Sequence, residues 1–334
     1  MTDRPSTASS APKSSVISAA LDRAGMLIIL IALIAICSFA VPNFSSLKNV
    51  ESVLLSVSTV GIVATTMLFC LASGNFDLSV GTIIPAGGVL CALILRDTGS
   101  LAIALPTALG FGAAVGLVNG VVVAKFKINP LITTLSTMMM VKGLAFVFAE
   151  YRSIGISHEG ILNLANAAFP VFHGPRGGIL FQITTPVWIC FALFALFGFL
   201  LQRTTFGRNT LAIGGNEEAA RLAGIPVDRV KITIFVLQGI VAALAGVLLS
   251  ARMGIGAPKT AEGSELSIIS ACVLGGVSLS GGIGRMSYVI AGVFIMGIVE
   301  NAMNLLNIDI AFQYIVRGAI LLSAVLFDRF RQNR

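Results

Sequence analysis

The sequence predicts an all-α, polytopic membrane protein of about ten transmembrane helices, in which spans 2–5 recur, with inverted topology, as spans 7–10. Three observations carry this expectation: a chain too poor in charge to solvate itself, ten apolar runs close to membrane length, and a set of internal matches in the same order.

Apolar residues make up 56% of the 334 and charged residues 11%, with a mean hydropathy of +0.95. A soluble domain carries about a quarter charged residues, because water must cover its surface. This chain uses lipid as its solvent. The net charge of +7 does not indicate nucleic acid, since no basic helix or aromatic-interleaved basic patch is present to track phosphates. The five cysteines (Cys37, Cys70, Cys91, Cys190 and Cys272) all lie in apolar stretches and have no metal-site spacing. They read as small buried hydrophobes, without a disulfide.

Residues 1–23 are polar, rich in Ser and Ala, and include Pro5 and Pro12; they are expected to form a disordered cytoplasmic tail. A transmembrane domain follows over 24–328, and 329–334 form a short cytoplasmic tail. About 20 apolar residues cross the hydrocarbon core. The expected spans lie near 24–42, 52–72, 77–95, 100–124, 130–149, 185–202, 231–251, 264–280, 286–305 and 310–328. The first is too long for a signal-peptide core and lacks a small-residue cleavage site. The third and eighth are short, begin with an acid and contain paired glycines, so either a continuous or a broken helix fits them.

Ten spans place both termini on one side. With the termini inside, 14 of the 22 Lys and Arg residues fall in cytoplasmic segments and 6 in external ones, while Lys142 and Arg317 lie within spans. This bias sets the termini on the cytoplasmic side. The external loop at 150–184 holds both histidines, His158 and His173. Two histidines at that spacing are a weak metal signal, and a solvated loop is the preferred reading.

The repeat rests on four matches. DLSVGTIIPAGGV from Asp77 aligns with ELSIISACVLGGV from Glu265, with identity at Leu78, Ser79, Gly87, Gly88 and Val89. GIVA at 61–64 recurs at 239–242, GLVN at 116–119 faces GIVE at 297–300, and VKG at 141–143 faces VRG at 316–318. Equivalent spans are then an odd number apart and cross in opposite directions, and such repeats place a translocation path at their interface. The alignment pairs Asp77 with Glu265, Asn119 with Glu300, and Lys142 with Arg317.

Unpaired charges within spans cost several kcal/mol, so they face protein, a partner or water. Asp77, Ser79, Asn119, Glu300, Asn301 and Asn304 are candidates for lining a path, because hydroxyls, amides and carboxylates bond polar solutes. Lys142 and Arg317 either line that path or brace helices, and bracing is the preferred reading. The 35 glycines suit close helix packing in lipid. The sequence contains no HExxH, no GxSxG and no GxxxxGK[ST] phosphate loop. No catalysis, metal or bound cofactor is expected of this chain, and any ATP and Mg would be used by another subunit.

The internal loop at 203–230 carries the sharpest local pattern. Asn216 is placed to cap a short helix beginning at Glu217 and Glu218, whose acids sit at its positive end. Gly224 and Pro226 stop it. Ala219, Leu222 and Ala223 form a small apolar face with Arg221 on the polar side, and Gly214–Gly215 supply a hinge. The small Ala219 and Ala220 suit close docking in a partner's groove.

This pattern resembles the Glu-Ala-Ala loop, with its downstream glycine, through which permeases of ATP-binding-cassette importers contact their ATPases. GNFDLSVG at 74–81 resembles the signature segment of the ribose/xylose/arabinose permease family, and the likeness extends from about Gly25 through ISACVLGGVSLSGGIG (269–284) and VENAMNLLNI (299–308). The resemblance implies a bacterial inner-membrane permease subunit that moves L-arabinose or a related pentose or hexose inward by alternating access. It implies a homodimer, an ATPase subunit contacted through Gly214 to Arg221 and Gly224, and a periplasmic sugar-binding protein. The alternative is an ion-coupled secondary carrier, for which Glu300 is the serious mid-membrane candidate.

Overall fold

A computed structural model describes residues 14–173 and 179–332; parts of both expected tails and of the external loop lie outside them. The helices are α1 (Ser14–Ala40), α2 (Leu47–Ala72), α3 (Val80–Thr98), α4 (Leu101–Ala124), α5 (Pro130–Phe148), α6 (Glu159–Asn166), α7 (Thr185–Arg203), α8 (Thr205–Gly215), α9 (Glu217–Leu222), α10 (Val227–Met253), α11 (Ser264–Leu274), α12 (Met286–Leu305) and α13 (Ile310–Gln332). Four short strands join them: β1 (Ile154–Gly155), β2 (Ala168–His173), β3 (Ile179–Thr184) and β4 (Ile255–Gly256).

The expectation of about ten spans is corrected. Among the described residues, seven helices are long and apolar enough to cross a membrane: α2, α3, α4, α5, α7, α10 and α12. The first, eighth and tenth expected spans correspond to shorter apolar stretches, Gly25–Ala40, Ser264–Leu274 and Ile310–Leu326. The clearest shortfall is α11. Gly275 caps it and Gly276 turns left-handed at φ +71°, so it has 11 residues where α3 has 19. At 1.5 Å per residue, a helix of 11 residues spans roughly half of a hydrocarbon core. The odd separation between equivalent spans, on which the inverted topology rested, therefore loses its basis. The third span is a continuous helix, α3, that accommodates Pro85. At the N-terminal end, helix begins at Ser14, ahead of the expected start of the first span.

Local chemistry sets the helix ends. Ser46 caps α2 by accepting from the Asn49 N–H, and Asn129 caps α5 at 2.8 Å from the Leu131 N–H with Pro130 at the first position. Gly99 and Gly254 end α3 and α10 in the left-handed conformation. The core centres on α2, where Val63, Ala64, Met67, Leu68 and Leu71 are fully buried. It extends to α10, against which α4 packs through glycines. A Cβ at Gly116 or Gly112 would overlap the backbone carbonyl of Phe235 or Gly239, so the two helices touch along their main chains, as small residues permit in lipid.

The described parts of 150–184 form strands and a helix. β1 pairs antiparallel with β4, α6 follows, and β2 pairs with β3 as a hairpin that runs directly into α7.

Candidate functional site

α9 forms where the local sequence requires it. Asn216 Oδ1 accepts from the Ala219 N–H at 2.9 Å. At the other end the Gly224 N–H reaches Arg221 O at 3.0 Å and the Ile225 N–H reaches Ala220 O at 3.1 Å, a closure that needs the left-handed φ of +81° at Gly224.

Glu217 anchors this helix to the body of the protein. Its Oε2 accepts from Lys231 Nζ at 2.6 Å, and its Oε1 lies 3.3 Å from both Lys127 Nζ and Arg221 Nη2. Asp228 completes the cluster, 2.8 Å from Arg221 and 3.1 Å from Lys127. Burial disfavours charge on Glu217, but hydrogen bonds from Lys231 and Lys127 outweigh it and hold the carboxyl below its usual value. The Arg221 hydrogen bond, aided by Lys127, lowers Asp228 in the same way.

With one face tied down, α9 presents Glu218, Ala219, Leu222 and Ala223 outward. Leu222 is 89% exposed, an apolar side chain on a six-residue helix tied down on its other face. Ala220 points the other way and is buried against the chain itself. Of the two small residues expected to face a partner, only Ala219 is exposed. At the start of the platform, Gly215 and Asn216 are exposed, whereas Gly214 packs against the backbone of Ala72 and Gly282.

The predicted path residues separate into distinct clusters. Asp77, Ser79 and Asn119 meet in the interior, each with 0% exposure. Asp77 Oδ1 accepts from the Ser79 N–H at 2.9 Å and from its hydroxyl, and Asn119 Nδ2 donates to Ser79 Oγ at 2.9 Å. Asp77 Oδ2 and Asn119 Oδ1 are buried without a hydrogen-bond partner. A second cluster joins Ser267, which donates to Glu300 Oε1 at 3.1 Å, to Arg317, 3.0 Å from the same oxygen. The sequence match of Ser79 with Ser267 and of Asn119 with Glu300 thus reappears as two corresponding contacts.

The remaining candidates bond within the protein. Asn301 exchanges amide hydrogen bonds with Asn49 at 2.9 and 3.0 Å, joining α12 to α2. Asn304 accepts from Gln313 at 2.9 Å. Lys142 pairs with Glu262 at 2.8 Å, with both side chains substantially exposed. Arg317 is a partly buried partner of Glu300. Sequence reasoning missed Lys127, Asp228, Lys231, Asn49 and Gln313. Lys127 lies 90 residues from Glu217 in the chain, and no local spacing signals such a pair. Among the described residues no three His, Cys, Asp or Glu side chains gather as a metal site.

Seven helices long and apolar enough to cross a membrane, with a short helix tethered to them by an ion-pair cluster, define a multi-helix membrane protein. Residues 49–325 match the family of the branched-chain amino acid transport system / permease component. The chain belongs to this family of multi-pass, non-catalytic membrane permeases.

Curated relatives cover nearly the whole chain. It is 51% identical to the L-arabinose transport system permease protein AraH of Escherichia coli (strain K12), over 97% of this chain and 96% of that protein. It is 47% identical to the L-arabinose ABC transporter permease protein AraH of Azospirillum brasilense, over 94% and 89% respectively. Identity to the ribose import permease protein RbsC of Escherichia coli (strain K12) is 36%, over 92% and 93%. No solved structure matches the chain.

Proposed function

We propose that this permease is the membrane subunit of an ATP-driven sugar importer and carries L-arabinose, or a closely related pentose or hexose, into the cytoplasm. Identity of 51% and 47% to two permeases named for L-arabinose, against 36% to one named for ribose, supports the sugar class. In this reading two copies of the chain form a homodimer. An ATP-binding-cassette ATPase lies beneath it, and a periplasmic sugar-binding protein delivers substrate from above.

The observation that carries the mechanism is Leu222, 89% exposed on a helix whose opposite face is fixed by Glu217. An isolated exposed leucine flanked by Ala219 and Ala223 fits an apolar pocket on a partner. Gly214, Gly215, Asn216, Glu217, Glu218, Ala219, Ala220, Arg221 and Gly224 build the ATPase-coupling element. Glu218, Ala219 and Leu222 touch the ATPase, while Asn216, Glu217, Ala220 and Arg221 hold the helix in place. Asp77 and Asn119, each with an unpartnered buried oxygen, and Ser79, which bonds both, are the candidates for polar groups exposed to sugar in another state of an alternating-access cycle. Glu300 is neutralised by Arg317, which weakens its case as an ion-coupling carboxylate.

The loop and both termini face the cytoplasm in this reading, supported by the Lys and Arg distribution. Reconstitution tests the whole proposal. L-arabinose uptake is expected to require ATP, the ATPase subunit and the binding protein together. Uptake by the permease alone, driven by an ion gradient, contradicts it.

A further inference from the structure

Gly214 lies flat against the end of α2. A Cβ on Gly214 would overlap the Ala72 carbonyl oxygen and the Gly282 amide nitrogen, and would stand 2.9 Å from the Ala72 carbonyl carbon. Those two groups are themselves joined, the Gly282 N–H donating to Ala72 O at 2.9 Å. Gly281, at φ +86°, faces the same point: a Cβ there would meet Gly214 O at 2.7 Å and Gly74 N at 2.9 Å. Gly282, at φ +77°, approaches Gly215 Cα, its Cβ position lying 3.0 Å away. Three main-chain segments therefore touch with no side chain between them.

Each segment leads to a different part of the molecule. The joint between α8 and α9 carries the exposed Leu222 face. The turn after α2 continues through Asn75 to Asp77 and Ser79, which bond each other and Asn119 in the interior. The 278–284 segment connects α11, which bears Ser267, to α12, which bears Glu300. Contacts between long side chains relax by changing rotamer, whereas close-packed main chains transmit displacement.

We propose that this glycine junction transmits movement of α9 to the buried Asp77–Ser79–Asn119 cluster, with Gly214, Gly281 and Gly282 as positioning residues. The inference rests on the reading of α9 as the ATPase contact. When α9 tilts, Gly214 and Gly215 move with it. Ala72 and Gly282 must then follow, or their hydrogen bond breaks. Glycine is required on both sides of the contact, by left-handed φ at 281 and 282 and by the lack of room for any Cβ at 214.

The test uses the complete importer in proteoliposomes, with L-arabinose as the transported probe. Hydrogen exchange is followed in the wild-type importer with and without ATP, and the Gly282 amide, which donates to Ala72 O, is expected to change its exchange rate by about tenfold or more between the two conditions, together with the amides of 75–79. Gly214→Ala should uncouple uptake from hydrolysis, and Gly110→Ala, whose Cβ has open space, should match the wild type. If Gly214→Ala does not reach the membrane, exchange in the wild type still decides. Exchange at Gly282 and 75–79 that is the same with and without ATP overturns the inference, as does full, coupled uptake in Gly214→Ala. An unmodified chain that retains no ATPase subunit contradicts the proposed function instead, and the inference with it.

Discussion

Lys231 donates a 2.6 Å hydrogen bond to Glu217 and thereby ties the start of α9 to the first turns of α10. Lys231 is 8% exposed and Glu217 35% exposed at their side chains, so the pair sits at the boundary between protein and water. Glu217→Gln leaves the buried ammonium short of its carboxylate. Discounted for the exposure of Glu217, the cost is about 1 kcal/mol, and the larger effect is expected on the placement of α9. Limited proteolysis within 204–231 should accelerate in this variant while the spans stay protected.

The same cluster sets a pH dependence. Glu217 and Asp228 both have lowered values in the folded protein, so their contribution is fully present above their ordinary values of 4.5 and 3.8. It declines as pH falls below those values and disappears beneath the depressed ones. Proteolytic opening of α9 is therefore expected on acidification through this window and not between pH 6 and 8. Opening near neutrality would contradict the assignment.

Asp77 is fully buried and accepts two hydrogen bonds from Ser79 through Oδ1. Asp77→Asn keeps an acceptor at that position and should insert and fold. Asp77→Ala leaves a buried N–H and hydroxyl unpaired, which costs about 2–4 kcal/mol. Thermal unfolding in detergent should separate the two variants by several degrees, with Asn above Ala.

Glu300 and Arg317 are about one-fifth exposed, buried enough for an orphaned charge to matter. Arg317→Met alone should destabilise by about 2–3 kcal/mol, and adding Glu300→Gln should recover most of the loss. Recovery of stability together with uptake identifies the pair as a brace. Recovery of stability with uptake still absent places Glu300 in the path.

The Lys and Arg bias, counted on ten spans, favours cytoplasmic termini, whereas seven crossings alone would put them on opposite sides. Reporters at Ser10 and after Arg334 are expected, on the charge bias, to read cytoplasmic. Opposite readings would remove the orientation argument.

Much of this architecture was legible in the sequence because its causes are local. Apolar runs gave α2, α3, α4, α5, α7, α10 and α12 to within a few residues, and Asn216 with Gly224 gave α9. The eighth span was overestimated because Gly275–Gly276 can either pack inside a helix or end one, and only the surrounding backbone decides. Nothing in the sequence announces the β2–β3 pairing, since Pro170 interrupts its alternation. Ala220 was misplaced because the inward face of a six-residue helix is set by what it packs on. The partners of Glu217, Asn301 and Asn304 come from distant parts of the chain, and no spacing rule reaches them.

If the outward face of α9 seats in the ATPase subunit, Leu222→Glu should break that contact. Burying a leucine contributes about 1.5–3 kcal/mol, and a carboxylate in the same pocket adds a desolvation cost. Because Leu222 touches so little of its own chain, the variant is expected at wild-type level in the membrane, with ATPase co-purification reduced about tenfold or more and L-arabinose uptake lost. Ala220→Glu, by contrast, should lower the membrane level itself. Wild-type ATPase retention and uptake in Leu222→Glu would contradict the assignment of α9 as the coupling element.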